Sequence, residues 1–464
     1  MAVHPIDGEV WGALYGSAAM RAVFDERAWL ARMLEVEAAL ALAEAELGLI
    51  PAEAAARIAE VAARPEALDF GELPERTRRV GYPVVGLVAA LSKAAGPEAG
   101  RYTHWGATTQ DILDTALVLQ LREALGLLAR DLGRLIQALA ALAARHRRTP
   151  MAGRTHLQHA LPITFGLKCA VWLDPLLRHA ERLAALRPRV LVLSFGGAAG
   201  TLASLGAEGL AIAERLAARL GLGLPPLPWH VSRDSLNEAV AWLGLLTGSL
   251  GKMATDVMLL SQTELGEVSE PHLPGRGSSS TMPQKRNPIA AEYILAQARA
   301  VHGLVPVMMG AMMQDFERGT GNWQAEPLAV GPAFVLAHGA LEQAIGIAEG
   351  IVVDEAQMRR NLGASGGLIM AEAVMMRLAP ALGREAAHHV VQEACDLARA
   401  EGIPLAAALA RRPEVAVRFD DATLREMTDP LSYLGSAEAF IDRVLERARP
   451  FLGGGAGGSS PAQA

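Results

Sequence analysis

No proline interrupts the apolar periodic pattern that runs from Asp111 to Arg147. A helix over that stretch is about 55 Å long at 1.5 Å per residue, whereas the mean helix of a globular domain has about 11 residues. A helix of that length finds apolar cover along its whole face only inside a bundle or between copies of the chain. Four more long stretches repeat the pattern, near 165–186, 232–265, 288–313 and 327–350. Five long helices with polar loops at their ends predict an all-α fold around an elongated five-helix bundle. Ala and Leu dominate the composition and only 5% of residues are aromatic, which favours helix over sheet.

The flanks read differently. Leu30, Met33, Leu34, Val36, Ala39, Leu40 and Leu47 recur at helical spacing until Gly48 and Pro51 stop the pattern. With two shorter helices near 52–63 and 84–95 they predict a small helical domain over 1–110. The long helices make a central domain over 111–363. Shorter helices over 364–450 make a third, and the Gly/Ser/Ala-rich stretch 451–464 is expected to be disordered. No internal repeat is evident.

The formal net charge is −7 and the pI about 6.0, which argues against a nucleic-acid partner. The arginine clusters at 76–79 and 145–148 read as solvated helix ends. Cys169 and Cys395 sit in apolar surroundings and read as buried free thiols. The N-terminus lacks a basic region with an apolar core, and uncharged apolar runs such as 239–251 are too short for a bilayer. A soluble cytoplasmic protein with no membrane partner is expected.

Three polar stretches stand apart from this helical background. The first, Tyr102 to Asp111, contains His104 and ends in Thr108-Thr109-Gln110-Asp111, where Thr108 and Asp111 have capping-box spacing. The second is Gly153-Arg154-Thr155-His156-Leu157-Gln158-His159. His156 and His159 would suit a metal only with a third ligand from elsewhere, so acid/base work is the better reading. The third is Gly277-Ser278-Ser279-Ser280-Thr281-Met282-Pro283-Gln284-Lys285-Arg286-Asn287-Pro288. It begins as a flexible hydroxyl-rich loop. It ends where Asn287 can cap a helix and Pro288 can occupy its first position. Lys285 beside a helix N-terminus predicts an anion site. A fourth stretch, Phe195-Gly196-Gly197-Ala198-Ala199-Gly200-Thr201, lacks a P-loop lysine and reads as a tight structural loop.

The third stretch resembles the G-S-S-x-M-P-x-K-x-N signature of the fumarase/aspartase superfamily, with one extra serine. Counting back from Met282 and Lys285 places Ser279 on the catalytic serine. The second resembles the superfamily's Thr-His-x-Gln segment, and the order of all three matches over nearly the whole chain. The resemblance implies Ser279 as the residue exchanging the α-proton. It implies His156 as an acid/base or positioning group oriented by Glu292, which otherwise reads as a first-turn acid favoured by the helix dipole. Lys285 and Asn287 would stabilise developing charge. Thr108, Thr109, Gln110, Thr155, Gln158, His104 and Tyr15 would surround the remaining carboxylates. It also implies a cofactor-free, metal-free enzyme acting on a small polycarboxylate. The assembly would be a homotetramer whose active sites draw on three subunits.

Within the superfamily, Asp429-Pro430-Leu431-Ser432-Tyr433-Leu434-Gly435 is similar to the branch holding adenylosuccinate lyases and cycloisomerases. Pro228-Trp229-His230-Val231-Ser232-Arg233-Asp234 and Gly321-Asn322-Trp323-Gln324-Ala325-Glu326 resemble the cycloisomerases. Leu14-Tyr15 replaces the lyases' Arg-Tyr pair, and Val80-Gly81-Tyr82-Pro83 replaces their Arg-His-Asp triplet. Trp229 and Trp323 are then expected in the substrate pocket, or else as core aromatics. His230 and Arg233 are expected as cations for a third carboxylate, unless Arg233 pairs with Asp234. The implied chemistry is lactone closure on an unsaturated tricarboxylate; fumarate release from a succinyl adduct is the alternative.

Overall fold

The computed structural model describes residues 4–272, 277 and 281–452. Ser278, Ser279, Ser280 and the tail from 453 onward, on which several expectations fall, lie outside the described residues.

The long periodic runs are helices. Helix α1 spans Glu26–Glu46, α2 Thr109–Arg145, α3 Phe165–Val190, α4 Asp234–Leu260, α5 Ile289–Ala311 and α6 Val330–Gly350. Each of α2 to α6 packs on the next in sequence, and α6 closes back on α2. Leu119, Leu128, Leu135, Leu173, Leu243, Ile294, Phe334 and Leu341 fill the resulting core. Helix α1 covers the outside of α2.

Between α2 and α3 the chain forms a β-hairpin instead of the plain loop expected there. Strand β1 is Pro150–Thr155 and β2 is Gln158–Thr164, antiparallel, with Met151 opposite Ile163 and Thr155 opposite Gln158. A bulge falls at Gly153, where a Cβ would lie 2.8 Å from the Leu161 carbonyl oxygen.

Helix α7, Glu355–Gly363, follows the bundle, and a second apolar core then forms from Val374, Val391, Leu405, Leu409 and Leu424. The last helix, α8 (Ala437–Leu452), does not join that core. It returns to the bundle, burying Ile441 and Ala448 against α2 and α3. Arg147 and Arg148 hold it there, pairing with Asp442 at 2.7 Å and Glu438 at 2.9 Å. This half of the expectation for the arginine clusters therefore needs amendment: the end of α2 is a docking point. Arg76, Arg78 and Arg79 do pair locally with Glu72 and Glu75 on a solvated helix. Cys169 and Cys395 are free and buried, and burial pushes both thiols up.

Among the described residues, Asp234–Leu260, Ile289–Ala311 and the run Asn322–Gly350 are long and apolar enough to cross a membrane. The sequence expectation counted only uncharged runs, but a helix of this length tolerates an occasional charge. Leu245 and Leu259 on α4, and Val307 and Met309 on α5, are exposed. Large apolar side chains left exposed on bundle helices are of the kind found at association faces.

Candidate active site

Asp111 is the hub of the first polar stretch. It sits in the first turn of α2, 1% exposed, and its carboxylate accepts four hydrogen bonds. The Gly196 N–H reaches Oδ1 at 2.8 Å and the His230 Nε2 at 2.7 Å. The Gly197 N–H at 3.0 Å and the Thr108 N–H at 2.9 Å reach Oδ2. The glycine-rich loop is thus structural, as expected, but its two N–H groups form a cradle for a protein carboxylate. Gly197 has φ +71°, which a side chain would resist. The arrangement fixes Thr108 and Gln110; the Gln110 amide donates to the His230 carbonyl at 2.8 Å.

Two expectations are corrected here. His230 and Arg233 are 3% and 2% exposed and offer no cation to a ligand. His230 is bound to Asp111. Arg233 makes a two-pronged bond to Asp114 at 2.6 and 3.0 Å and a second ion pair to Glu326, not to Asp234. Burial holds the Glu326 carboxyl above its usual range; Arg233 opposes the effect and the Asp114 charge adds to it. Trp229 lies under the Arg233 guanidinium, 4.8 Å from ring centroid to Cζ, with its indole N–H donating to the Leu193 carbonyl at 2.9 Å. Trp229 is therefore a wall, with no donor left over.

Trp323 stacks on Tyr82 with centroids 5.3 Å apart, and Gln324 Nε2 donates to the Tyr82 hydroxyl at 2.6 Å. This pair borders a cleft of about 1170 Å³ between the N-terminal segment, α2 and α6; Trp29, Leu117 and Val335 also line it. Asp114 and Glu326 form part of its floor. Tyr15 meets Tyr293 edge-on at 5.3 Å, next to Glu292 on α5.

His156 and Leu157 form the two-residue turn of the hairpin, at φ +51° and +62°. Such turns favour Asn-Gly because non-glycine residues pay about 1 kcal/mol or more each in the left-handed region. Thr155, His156, Leu157 and Gln158 are all exposed. The hairpin is anchored below by Arg154, whose guanidinium grips the buried Glu267 at 2.6 and 3.0 Å; Asn361 on α7 bonds the same carboxylate at 2.8 Å.

In the third stretch, Pro288 rather than Asn287 occupies the position before α5, with no side-chain cap. The first-turn N–H groups of Ala290 and Ala291 are already taken by Glu270, at 3.1 and 2.8 Å. Glu270 therefore occupies the expected anion site, because a protein carboxylate supplies the charge the helix end attracts. The Asn287 N–H closes a turn to the Gly277 carbonyl at 3.1 Å. Lys285 and Glu292 are exposed. No hydrogen bond joins His156 to Glu292 among the described residues.

The first stretch is therefore one assembled wall within the chain, while Thr155–Gln158 and Lys285–Glu292 present outward-facing groups. Sequence reasoning missed Arg318. Its guanidinium donates to Thr108 Oγ1 at 3.2 Å and to the Ala198 carbonyl at 3.0 Å, placing a cation on this wall. Strain offers a signal that sequence does not. The five non-glycine residues with positive φ among those described are His104, His156, Leu157, Leu202 and Phe316; the first three lie on these loops, Leu202 directly follows one, and Phe316 stands two residues before Arg318. Also among the described residues, no group of three or more His, Cys, Asp or Glu is placed to hold a metal.

A family model described as Lyase matches residues 13–303, and one described as Adenylosuccinate lyase C-terminus matches 367–444. The chain belongs to the lyase family. It is 50% identical over 440 residues to 3-carboxy-cis,cis-muconate cycloisomerase of Pseudomonas aeruginosa, covering 94% of this chain and 96% of that protein. The crystal structure of 3-carboxy-cis,cis-muconate lactonizing enzyme from Pseudomonas putida superposes with a TM-score of 0.92 at 46% identity, covering 96% of this chain and all of that one. The crystal structure of fumarate lyase from Mesorhizobium sp. BNC1 gives 0.88 at 49% identity, covering 93% and 98%. The all-α lyase-family bundle read from the sequence is the fold observed.

Proposed function

We propose that the chain is a 3-carboxy-cis,cis-muconate cycloisomerase, which lactonises its substrate to 4-carboxymuconolactone in aromatic-acid breakdown. The observation that carries this reading is the indole of Trp229, packed into the wall beneath Arg233. With it goes the 50% identity over 440 residues to the 3-carboxy-cis,cis-muconate cycloisomerase of Pseudomonas aeruginosa.

In the reaction, one substrate carboxylate oxygen bonds to a C=C carbon. The neighbouring carbon, next to another carboxylate, takes the electron pair and then a proton. The intermediate carbanion spreads its charge into that carboxylate. Lys285 and Asn287 stabilise the charge as it develops. Ser279 delivers the proton, and His156, oriented by Glu292, assists at a carboxylate oxygen. Thr108, Thr109, Gln110, Thr155, Gln158, His104 and Arg318 hold the remaining carboxylates. No cofactor enters these steps, and activity is expected to survive dialysis against a chelator; loss that added Mg²⁺, Mn²⁺ or Zn²⁺ restores contradicts them. The working form is a cytoplasmic homotetramer: the exposed apolar faces of α4 and α5 need cover, and His156 and Glu292 need a partner copy to meet.

The test is substrate choice. Lactonisation of 3-carboxy-cis,cis-muconate is expected with kcat/KM at least about 100-fold above adenylosuccinate cleavage, about 2.7 kcal/mol in transition-state binding. Trp229→Gln narrows that gap mainly by slowing lactonisation. Efficient release of AMP overturns the assignment. Turnover of neither substrate by a folded tetramer favours the second reading, a fumarate-releasing lyase, which the likeness to the Mesorhizobium fumarate lyase supports.

A further inference from the structure

His104 combines three features that ordinary surface histidines lack. Its backbone is left-handed, at φ +59°. Its Nδ1 lies 2.7 Å from Oε1 of Glu37 on α1, a carboxylate that is 1% exposed. Its Nε2 has no partner among the described residues, and the side chain is 21% exposed, so the ring is clamped on one edge and open on the other. It stands four residues before Thr108, on the loop that forms the wall with Arg318.

The pair is not arranged for greatest stability. Oε2 of Glu37 is buried with no hydrogen-bond partner, and a buried carboxylate with an unused oxygen carries a desolvation cost that one bond does not offset. Its charge acts on His104 at short range through a poorly screened interior. We propose that Glu37 is a positioning residue, holding His104 as a doubly protonated imidazolium whose free Nε2–H is a fixed cationic donor for a substrate carboxylate. This rests on the polycarboxylate reading of the site above.

The groups around the ring agree with that sign. Burial alone favours the neutral ring, but the Glu37 charge and hydrogen bond outweigh it, and the Asp111 charge adds to them, so His104 titrates above its ordinary value. Glu44, two turns along α1, is pushed up to about 9 by burial, with the Glu37 charge adding to it.

Glu37→Gln preserves shape and an acceptor for Nδ1–H but removes the charge. With ¹³C-labelled histidine, the NMR titration midpoint of His104 is expected to fall in the variant. Above the variant's titration midpoint, KM for 3-carboxy-cis,cis-muconate rises about 10-fold with kcat within about threefold, and the difference shrinks below that midpoint as the ring reprotonates. A merely structural pair would lower kcat per folded tetramer, or the melting temperature, and leave the pH dependence of KM unchanged; that result, or an unshifted midpoint, overturns the proposal. Should Glu37→Gln not fold, His104→Gln carries the test. It raises KM and abolishes its pH dependence if the proposal holds, and an unchanged KM overturns it. The titration needs no substrate. A shifted midpoint without turnover of 3-carboxy-cis,cis-muconate supports the Glu37 role and removes the functional reading alone. An unshifted midpoint with normal turnover does the reverse.

Discussion

Co-expression of His156→Ala chains with Ser279→Ala chains is expected to restore activity that neither variant has alone. Each single variant removes a group from every site and should lose about 10²–10⁴-fold in turnover, the usual worth of an acid/base group. The reason to expect recovery is geometric. His156 stands at an exposed hairpin tip, and Glu292, expected to orient it, is exposed on α5 without a bond to it. If the hairpin of one copy meets α5 of a second, a mixed tetramer contains sites that received an intact His156 from one chain and an intact Ser279 from another. Random mixing at equal amounts makes about one site in four complete. Recovery towards a quarter of the unmutated activity supports shared sites. No recovery from co-purified mixed tetramers, or full turnover by a monomer in light scattering, overturns them. Ser280→Ala, run beside Ser279→Ala, checks the loop register. An inactive Ser280 variant with an active Ser279 variant moves the catalytic hydroxyl by one residue.

The helical frame was legible because its signal is local. Apolar residues at helical spacing over 111–147 give α2 to within two residues at either end, and the same pattern gives the other bundle helices. The hairpin was not legible. Its turn is His-Leu, without the glycine or asparagine that announces a two-residue turn, and β2 contains Pro162, a residue that disfavours strands. The roles of His230 and Arg233 were misread for a different reason. Their carboxylate partners Asp111 and Asp114 lie on α2, each 119 positions away, and no spacing rule reaches across that distance. Glu270 was missed likewise: its side chain caps a helix whose own sequence, Asn287-Pro288, already looked complete. Capping residues and catalytic cations draw on the same few residue types. Composition therefore finds the polar stretches, and only the fold separates groups that serve the protein from those left for a ligand.

Stability should fall as the pH rises from about 5 to 9, and Glu44→Met should abolish most of that fall. Glu44 on α1 is fully buried, and neither carboxyl oxygen has a hydrogen-bond partner. Burial, reinforced by the charge of Glu37, pushes its carboxyl up to about 9. The sign follows directly. A folded state that binds the proton more tightly than the unfolded chain gains stability in full below the unfolded value near 4.5, and loses it as pH climbs through the folded one. Across that window the slope from one such group approaches about 1.4 kcal/mol per pH unit. Asp131 acts at the other end of the scale. Burial pushes it up, but the hydrogen bonds from His338 and Arg130 win and bring it down to about 2, so its contribution is lost only as pH falls through the acid range. Between neutral and alkaline pH, Glu44 therefore sets most of the slope, with His104, also raised, adding to it in the same direction. Methionine keeps the length of the side chain and removes both orphaned oxygens, worth about 1–3 kcal/mol even for the neutral acid. Urea midpoints measured from pH 5 to pH 9 should therefore diverge, the variant gaining most at pH 8 to 9 with an unchanged m-value. Parallel curves for the two proteins would mean that Glu44 ionises in the fold at an ordinary pH, and that a water or a shift of α1 reaches it.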